Sequence, residues 1–206
     1  MKAEDIGDVS LEKMLAIETL KFRAECRKID QDFQGDAFNL IKSQALALAF
    51  NQIERANFTK SDETNHGFIP FPCQTFMDMI IEAYVHLGQI RGKKFLEVGC
   101  GIGTKVLLAQ VFFDGHGIEF DRTIEKASVL GVKNLTQADC LAYDKYGEYD
   151  FLYFFRPIRA AEKQIEFEHR IHDQMKSGAV IAPIYTELDW NQFEDLTKLG
   201  WIYQKN

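Results

Sequence analysis

The chain has 206 residues, of which 46% are hydrophobic, and this composition supports one substantial core and disfavours a disordered or fibrous protein. It has 24 lysines and arginines and 31 aspartates and glutamates, and the acidic excess is spread along the chain without a basic arm. Binding to bulk nucleic acid mainly through electrostatic attraction is therefore disfavoured.

The cysteines and the N-terminal segment indicate the compartment. Cys26, Cys73, Cys100 and Cys140 are far apart and form no C-x-x-C pair, which argues against a zinc site and a disulfide framework. The first residues, MKAEDIGDVS, are acidic and polar where a secretory signal needs a basic and then an apolar run. No apolar stretch approaches the roughly 20 residues that span a bilayer. We therefore expect a cytoplasmic protein without a membrane partner.

The first part of the chain has a helical pattern. Apolar residues recur at steps of three and four from Ser10 to about Glu54, with a break at Gly35 and Asp36. Asp36 is a suitable N-cap for a second helix, so a helical hairpin is predicted. Residues 1–60 are interpreted as a helical N-terminal extension or lid, and residues 61–206 as the main domain. The polar stretch from Thr59 to Pro72 predicts a linker or mobile loop, and a helix follows from Thr75 to about Gly88.

After Gly92 the pattern alternates between strands and helices. The strand FLEVG, the helix KVLLAQVFF, the strand GHGIEF and a helix capped by Asp121 come first. The strands NLTQAD, YDFLYFF and AVIAPI follow, with a helix from Ala160 to Met175 before the last of them. Asp189 is predicted to cap a final helix that ends at Gly200, and WIYQKN leaves room for one more strand. This alternation predicts an α/β fold with a doubly wound, mostly parallel sheet.

The turn after the first of these strands, FLEVGCGIGTK, carries the chemistry. Gly99, Gly101 and Gly103 let the backbone approach a ligand closely, but their G-x-G-x-G spacing differs from the G-x-G-x-x-G of dinucleotide sites. Thr104 stands where the third dinucleotide glycine would fall. The carboxylate of Glu97, just before the first glycine, would repel a pyrophosphate and suits a cationic ligand. A nicotinamide-dependent oxidoreductase nevertheless stays an alternative.

E-V-G-C-G-I-G-T resembles motif I of the class I S-adenosylmethionine-dependent methyltransferases, and the resemblance extends from about Gly92 to Pro183. It implies a Rossmann-like methyltransferase domain over residues 61–206, with S-adenosylmethionine as methyl donor and S-adenosylhomocysteine as product. In that family the residue matching Glu119 accepts hydrogen bonds from both ribose hydroxyls, and the residue matching Asp139 lies with its neighbour beside the adenine. The predicted cofactor-binding residues are Glu97, Gly99, Cys100, Gly101, Gly103, Thr104, Glu119, Phe120, Asp139 and Cys140.

The end of the fourth strand is the predicted acceptor side. Relatives that methylate amino groups of bases have (D/N)-P-P-Y there, whereas this chain has Phe155-Arg156-Pro157-Ile158, so adenine-amino methylation is disfavoured. Tyr153 to Arg156 predict an aromatic wall with one cation, suited to a flat or anionic acceptor, although aromatic residues of a buried strand are as often core. Tyr153 and Arg156 are the candidates for substrate contact, and no catalytic residue is identified.

One predicted helix carries four side chains of types that can ligate a metal. His169, His172, Glu166 and Glu168 share this helix, which is interpreted as a solvated face, and no metal site is predicted. The antiparallel hairpin that ends the family's sheet looks shortened. A homodimer through the helical extension or through this sheet edge is one predicted assembly.

The sequence thus predicts a methyltransferase that acts on an unidentified acceptor. A small molecule or a protein is favoured over bulk nucleic acid. Besides the oxidoreductase, a methyltransferase-like interaction module without turnover stays open, because no catalytic motif is evident.

Overall fold

A computed structural model describes residues 37–57, 69–88, 92–121 and 123–206. The chain divides into two compact units, Met1–Ala45 and Leu46–Asn206, and residues 37–45 are the described part of the first. The predicted helix from Ser10, the N-cap Asp36 and most of the predicted linker from Thr59 lie outside the described residues. The domain boundary predicted at residue 60 stays a prediction.

The helices and strands of the described residues are as follows. The helices are α1 Ala37–Ala56, α2 Cys73–Leu87, α3 Thr104–Ala109, α4 Thr123–Val129 and α5 Ala161–Gln174. The strands are β1 Lys94–Val98, β2 Asp114–Glu119, β3 Leu135–Gln137, β4 Phe151–Phe155, β5 Val180–Ile184, β6 Leu196–Leu199 and β7 Ile202–Lys205. Single 3-10 turns lie at Tyr146–Glu148 and Trp190–Gln192. None of the described helices is both long enough and apolar enough to cross a bilayer.

Within the described part of the chain, the seven strands form one sheet in the order β3-β2-β1-β4-β5-β7-β6. Strands β1 to β5 pair in parallel, and β7 pairs antiparallel with both β5 and β6. The chain winds outward from β1 in one direction and then from β4 in the other, so a crevice is expected between the carboxyl ends of β1 and β4. The predicted doubly wound, mostly parallel sheet is confirmed.

The two faces of the sheet are covered by different helices, because successive side chains of a strand point to opposite faces. On β4, Tyr153 faces α2, where its ring centroid lies 4.8 Å from that of Phe76. Phe154 belongs to the core on the other face, where its ring lies 5.0 Å from that of Phe167 in α5. The predicted aromatic wall is therefore wrong for Phe154, since strand alternation turns it away from its neighbours.

The end of the chain differs from the prediction of a helix between Asp189 and Gly200. Asp189 does cap a turn, because its side chain accepts a hydrogen bond from the backbone N–H of Asn191 at 3.0 Å, but only the 3-10 turn follows. The buried Trp190 holds this turn by donating its indole N–H to Glu168 at 3.1 Å. Tertiary pairing then favours strands over helix, so the terminal antiparallel hairpin is present, and the strand predicted in WIYQKN is confirmed.

The predicted solvated face of α5 is wrong for Glu168 and His172. The carboxylate of Glu168 is buried and accepts hydrogen bonds from the backbone N–H groups of Glu187 and Leu188. His172 contacts Asp195 at 2.8 Å through Nε2, and its ring stacks on Phe193. Among the described residues there is no group of three or more side chains that could hold a metal ion. These polar groups therefore anchor the C-terminal hairpin to α5.

Candidate functional site

A cavity of about 920 Å³ lies at the carboxyl ends of the central strands. Its walls come from the turn after β1, the end of β2, the segment before α2, the ends of β4 and β5, and the β6–β7 hairpin. This volume is within the usual range for small-molecule sites, and the position is where α/β sheets bind ligands.

The glycine loop has a backbone that other residues adopt only with strain. Gly99, Gly101 and Gly103 have φ of 74°, 52° and 76°, all in the left-handed region. A side chain at Gly99 would also be crowded, because its Cβ would lie 3.0 Å from Cβ of Pro157, which would have to shift. The loop therefore brings bare backbone to the edge of the cavity, where Gly99 and Gly101 are part of the lining.

Replacing Gly99 with alanine is expected to destabilise the protein by about 2 kcal/mol, through left-handed strain and the contact with Pro157. Gly131→Ala is the matched control, since Gly131 has φ of 77° but no described atom lies within 4 Å of the place that a methyl group would take. It should lose only about 1 kcal/mol. Urea unfolding of both variants measures the difference, and equal losses would show that the Pro157 contact costs nothing.

Glu119, at the end of β2, fastens the glycine loop. Its Oε2 accepts a hydrogen bond from the N–H of Gly101 at 2.7 Å, and its Oε1 accepts from the N–H groups of Phe120 and Asp121 at 2.8 and 3.3 Å. Burial raises the pKa of Glu119, and the Gly101 hydrogen bond opposes that rise. The carboxylate lines the cavity and retains lone pairs for further donors.

Glu97 and Tyr153 form the floor of the cavity on neighbouring strands. They are partners in the β1–β4 register, so their side chains lie side by side on one face. Their exposed fractions are 5% and 1%, and both residues line the cavity. Oε2 of Glu97 and the hydroxyl oxygen of Tyr153 are buried and have no hydrogen-bond partner among the described residues. Burying a polar atom without a hydrogen-bond partner costs free energy. A ligand that forms hydrogen bonds with these two atoms would remove that cost.

A buried ionic group lies under this floor and was not predicted from the sequence. Glu54 of α1 is fully buried and accepts hydrogen bonds from the hydroxyl of Thr104 and the ammonium of Lys105. Its second oxygen accepts from the backbone N–H of Phe71 at 3.2 Å. Glu54 therefore ties the segment before α2 to the first turn of α3, and Lys105 also reaches the cavity.

Several predicted cofactor residues lie outside the cavity lining. Cys100 is buried at 2% exposure, and Gly103 packs against Val132. Thr104 is buried and uses its hydroxyl on Glu54. Phe120 follows Glu119 and is 60% exposed. The structure thus gives these four residues supporting or neighbouring positions, and their part in ligand binding stays a prediction.

Asp139 and Cys140, after β3, form a turn that is likewise outside the lining. Asp139 accepts a hydrogen bond from the N–H of Leu141 at 2.9 Å and is exposed. Cys140 packs against the core, and burial raises the pKa of its thiol to about 12, so the thiol stays protonated. Their predicted place beside an adenine stays a prediction.

The predicted acceptor residues both line the cavity but differ in character. Tyr153 is on the buried floor, whereas Arg156 is at the rim and forms an ion pair with Glu187. Arg156 has φ of 33° and Tyr185, at the end of the adjacent β5, has φ of 54°. Left-handed backbone at non-glycine residues is strained and is often found at functional sites.

Comparison with known proteins finds similarity only to solved structures, and at low sequence identity. No protein-family model matches the sequence, and no curated protein is significantly similar to it. Among solved structures, an S-adenosylmethionine-dependent methyltransferase from Clostridium acetobutylicum is 16% identical over 68% of this chain and 56% of its own, with a TM-score of 0.47. An amino pentose methyltransferase from Micromonospora echinaspora with bound S-adenosylmethionine is 16% identical over 61% and 57%, with a TM-score of 0.48.

A third similar structure is an RNA methyltransferase from Salinibacter ruber in complex with S-adenosyl-L-homocysteine. It is 17% identical over 66% of this chain and 92% of its own, with a TM-score of 0.46. The strand order and the antiparallel β7 described above are those of a doubly wound, Rossmann-like sheet. The chain spans little more than half the length of the first two structures, and a likeness of this kind carries no conclusion about activity, substrates or partners.

Several residues that line the cavity or lie beneath it were not predicted from the sequence. Lys105 follows the glycine loop directly, and a charge in the first turn of an otherwise apolar helix was a usable signal. Glu54 is 43 positions before Glu97 on a helix with other charged residues, so nothing in the sequence marked it. Lys198 lies in the segment wrongly predicted to be a helix, whereas Tyr185 follows a predicted strand and Trp201 begins the predicted last strand, and neither ring was predicted to face a cavity.

Proposed function

We propose that the chain is an S-adenosylmethionine-dependent methyltransferase, with Glu97 holding the ammonium group of the methyl donor. The observation that carries this proposal is the buried Oε2 of Glu97, which has no partner among the described residues and lies in the cavity lining. A buried carboxylate needs a positive partner or strong donors. The donor's amino-acid end has such a group, whereas the pyrophosphate of a dinucleotide would add negative charge.

The charges around the glycine loop support a cationic ligand. Glu97, Glu119 and Asp121 line this end of the cavity together with Lys105, the one cation that the described residues place there. The ammonium of Lys105 is itself paired with the buried Glu54. The uncompensated negative potential favours a molecule that carries an ammonium and a sulfonium.

The residues around the donor end also fit the rest of this ligand. Glu119 is fixed by three backbone N–H groups, so its orientation is set before a ligand binds. Its remaining lone pairs suit the hydroxyls of a ribose. Gly99 and Gly101 remove side-chain bulk where the ligand would contact the loop. Tyr153 and Lys105 are donors available to a carboxylate at the closed end of the cavity.

The chemistry needs alignment more than it needs catalytic groups. The donor's methyl–sulfur bond breaks with its electron pair left on sulfur, the acceptor's lone pair forms the new bond, and any proton on the acceptor atom passes to water. The chain contributes by fixing the donor at Glu97 and Glu119 and by directing the acceptor toward it from the ends of β4 and β5.

Calorimetric titration with S-adenosylhomocysteine tests the proposal. We expect one molecule bound per chain, and no measurable binding of NAD under the same conditions. A folded sample that binds NAD and does not bind S-adenosylhomocysteine would contradict the proposal. Transfer of labelled methyl groups to fractions of small metabolites, proteins and RNA then distinguishes an enzyme from a binding module.

The affinity for S-adenosylhomocysteine is expected to fall as the pH is lowered. Burial raises the pKa of Glu97 well above its ordinary value, although the charge of Lys105 opposes the rise. An ammonium binds the ionised carboxylate, so affinity is constant above the raised pKa and falls by about tenfold for each pH unit below it. Calorimetry in buffers of different protonation enthalpy should then detect proton release on binding.

The control for this pH effect is 5′-methylthioadenosine, which has the same adenosyl thioether but no amino-acid end. Its adenosyl part is expected to contact Glu119 in the same way. Because it has no ammonium to bind Glu97, its affinity should lack the part of the pH dependence that comes from Glu97. Identical pH profiles for the two ligands would contradict the assignment of Glu97.

A further inference from the structure

We propose that the methyl acceptor is a small planar aromatic molecule that carries an anionic group. It would bind at an acceptor wall made of Phe155, Tyr185, Lys198 and Trp201, which line one side of the cavity. This inference rests on the proposed function, because it names the substrate of the same site.

The acceptor wall exposes aromatic surface that a folded protein ordinarily buries. Tyr185 is 68% exposed and Trp201 is 50% exposed. The ring of Phe155 lies 5.0 Å from that of Tyr185 in an edge-to-face arrangement, and Phe71 continues the row at 5.2 Å. The Trp201 ring makes no contact with another aromatic ring of the described residues. Rings exposed together around a cavity are suited to stack on a flat ligand.

The backbone that carries these rings is fixed, although the rings are exposed. The N–H of Trp201 donates to Oε2 of Glu82 in α2 at 2.7 Å. The preceding Gly200 has φ of 63°, and a Cβ there would collide with the Glu82 carboxylate. Tyr185 is held at a left-handed φ at the end of β5. The backbone of the wall is therefore preorganised, which lowers the part of the entropic cost of binding that comes from ordering the main chain.

The charges of the wall indicate an anionic substituent. Arg156 already forms an ion pair with Glu187, so much of its charge is compensated before an acceptor binds. Lys198 forms no salt bridge with a carboxylate of the described residues, and its Nζ lies 5.7 Å from the centre of the Tyr203 ring. The nearby Asp189 binds Asn191 instead. A carboxylate or similar anion on the acceptor would pair with Lys198 beside the aromatic surface.

The acceptor side has no evident general base. The carboxylates of the lining, Glu97, Glu119 and Asp121, belong to the donor end, and no histidine is among the described lining residues. An acceptor atom that is already nucleophilic near neutral pH, such as an acidic phenol oxygen or a ring nitrogen, therefore fits this site better than an aliphatic alcohol.

The test uses the full chain, with and without saturating S-adenosylhomocysteine, and 4-hydroxybenzoate as the probe. Calorimetry should detect binding of 4-hydroxybenzoate, with at least about tenfold weaker binding of two analogues. These are 4-hydroxybenzamide, which lacks the charge, and 4-hydroxycyclohexanecarboxylate, which lacks the planar ring. Failure to bind the probe with a Kd below about 1 mM, or equal affinity for all three compounds, would overturn the inference.

Two pairs of variants locate the binding. Lys198→Met should weaken binding of 4-hydroxybenzoate by about tenfold and leave that of the amide unchanged, while Lys198→Arg retains both. Trp201→Ala should weaken both aromatic probes by about tenfold, and Trp201→Phe should restore most of the loss. Lys133→Met and Val85→Ala, which change exposed residues outside the cavity lining, are the matched controls. Losses as large in the controls would overturn the inference.

The two proposals can fail separately. Binding of 4-hydroxybenzoate at Lys198 and Trp201 by a protein that does not bind S-adenosylhomocysteine would support the aromatic anion site and contradict the methyltransferase. Binding of S-adenosylhomocysteine without binding of 4-hydroxybenzoate would support the methyltransferase and contradict the aromatic anion site.

Discussion

Glu97→Gln is expected to weaken binding of S-adenosylhomocysteine by about ten- to a hundredfold, the value of one hydrogen bond to a charged group. The amide preserves the size of the side chain but has no charge with which to hold an ammonium. Binding of 5′-methylthioadenosine should change by less than about threefold, because this ligand has no amino-acid end to lose. Calorimetry with both ligands on both proteins gives the four affinities that are needed.

The four affinities separate a direct contact from a general disturbance of the site. Glu125→Gln, an exposed change on α4, is the matched control and should leave all affinities as they are. If Glu97→Gln weakened both ligands equally, the carboxylate would be supporting the glycine loop and not holding the ammonium. A folded Glu97→Gln variant with unchanged affinity for both ligands would exclude Glu97 from binding altogether.

Glu54→Ala is expected to lower the free energy of unfolding by about 3 kcal/mol, the lower end of the range for removing one partner of a buried ion pair. Lys105 is only 4% exposed and would keep a buried charge with fewer partners. Thr104 and the N–H of Phe71 would lose their acceptor as well. Urea denaturation at neutral pH measures the change.

A surface ion pair provides the comparison for this loss. Glu148 and Lys94 are 3.3 Å apart with side chains 52% and 41% exposed, so Glu148→Ala should cost less than about 1 kcal/mol. Adding Lys105→Met to Glu54→Ala should recover part of the stability, because the double variant leaves no buried charge at this pair. A loss in Glu54→Ala no larger than in Glu148→Ala would mean that water or neighbouring groups compensate the lysine.

The central sheet was predictable because its signals are local. The continuous apolar runs of β4 and β5 and the glycine loop after β1 each depend on a few adjacent residues. The positions of Glu97, Gly99, Gly101 and Glu119 in the cavity lining followed from that order, since parallel strands end at the same edge of a sheet.

What the sequence did not show depends on contacts between distant segments. The helix predicted after Asp189 was overruled by Trp190, which packs into the core beneath α5 and donates to Glu168. Glu54 reaches Lys105 across 51 positions of chain, and no local pattern records such a pairing. The acceptor wall combines the ends of β4 and β5 with the β6–β7 hairpin, whose first strand was not predicted.

The exposed rings of Tyr185 and Trp201 have a consequence for the evolution of this protein. Because these side chains contribute little buried surface, their replacement should cost the folded state almost nothing, in contrast to Glu54 or Tyr153. New acceptors could therefore be accommodated by exchanging a few surface side chains on an unchanged scaffold. Homologues that share Glu97 and Glu54 but differ at the positions of Tyr185 and Trp201 would then be expected to modify different molecules.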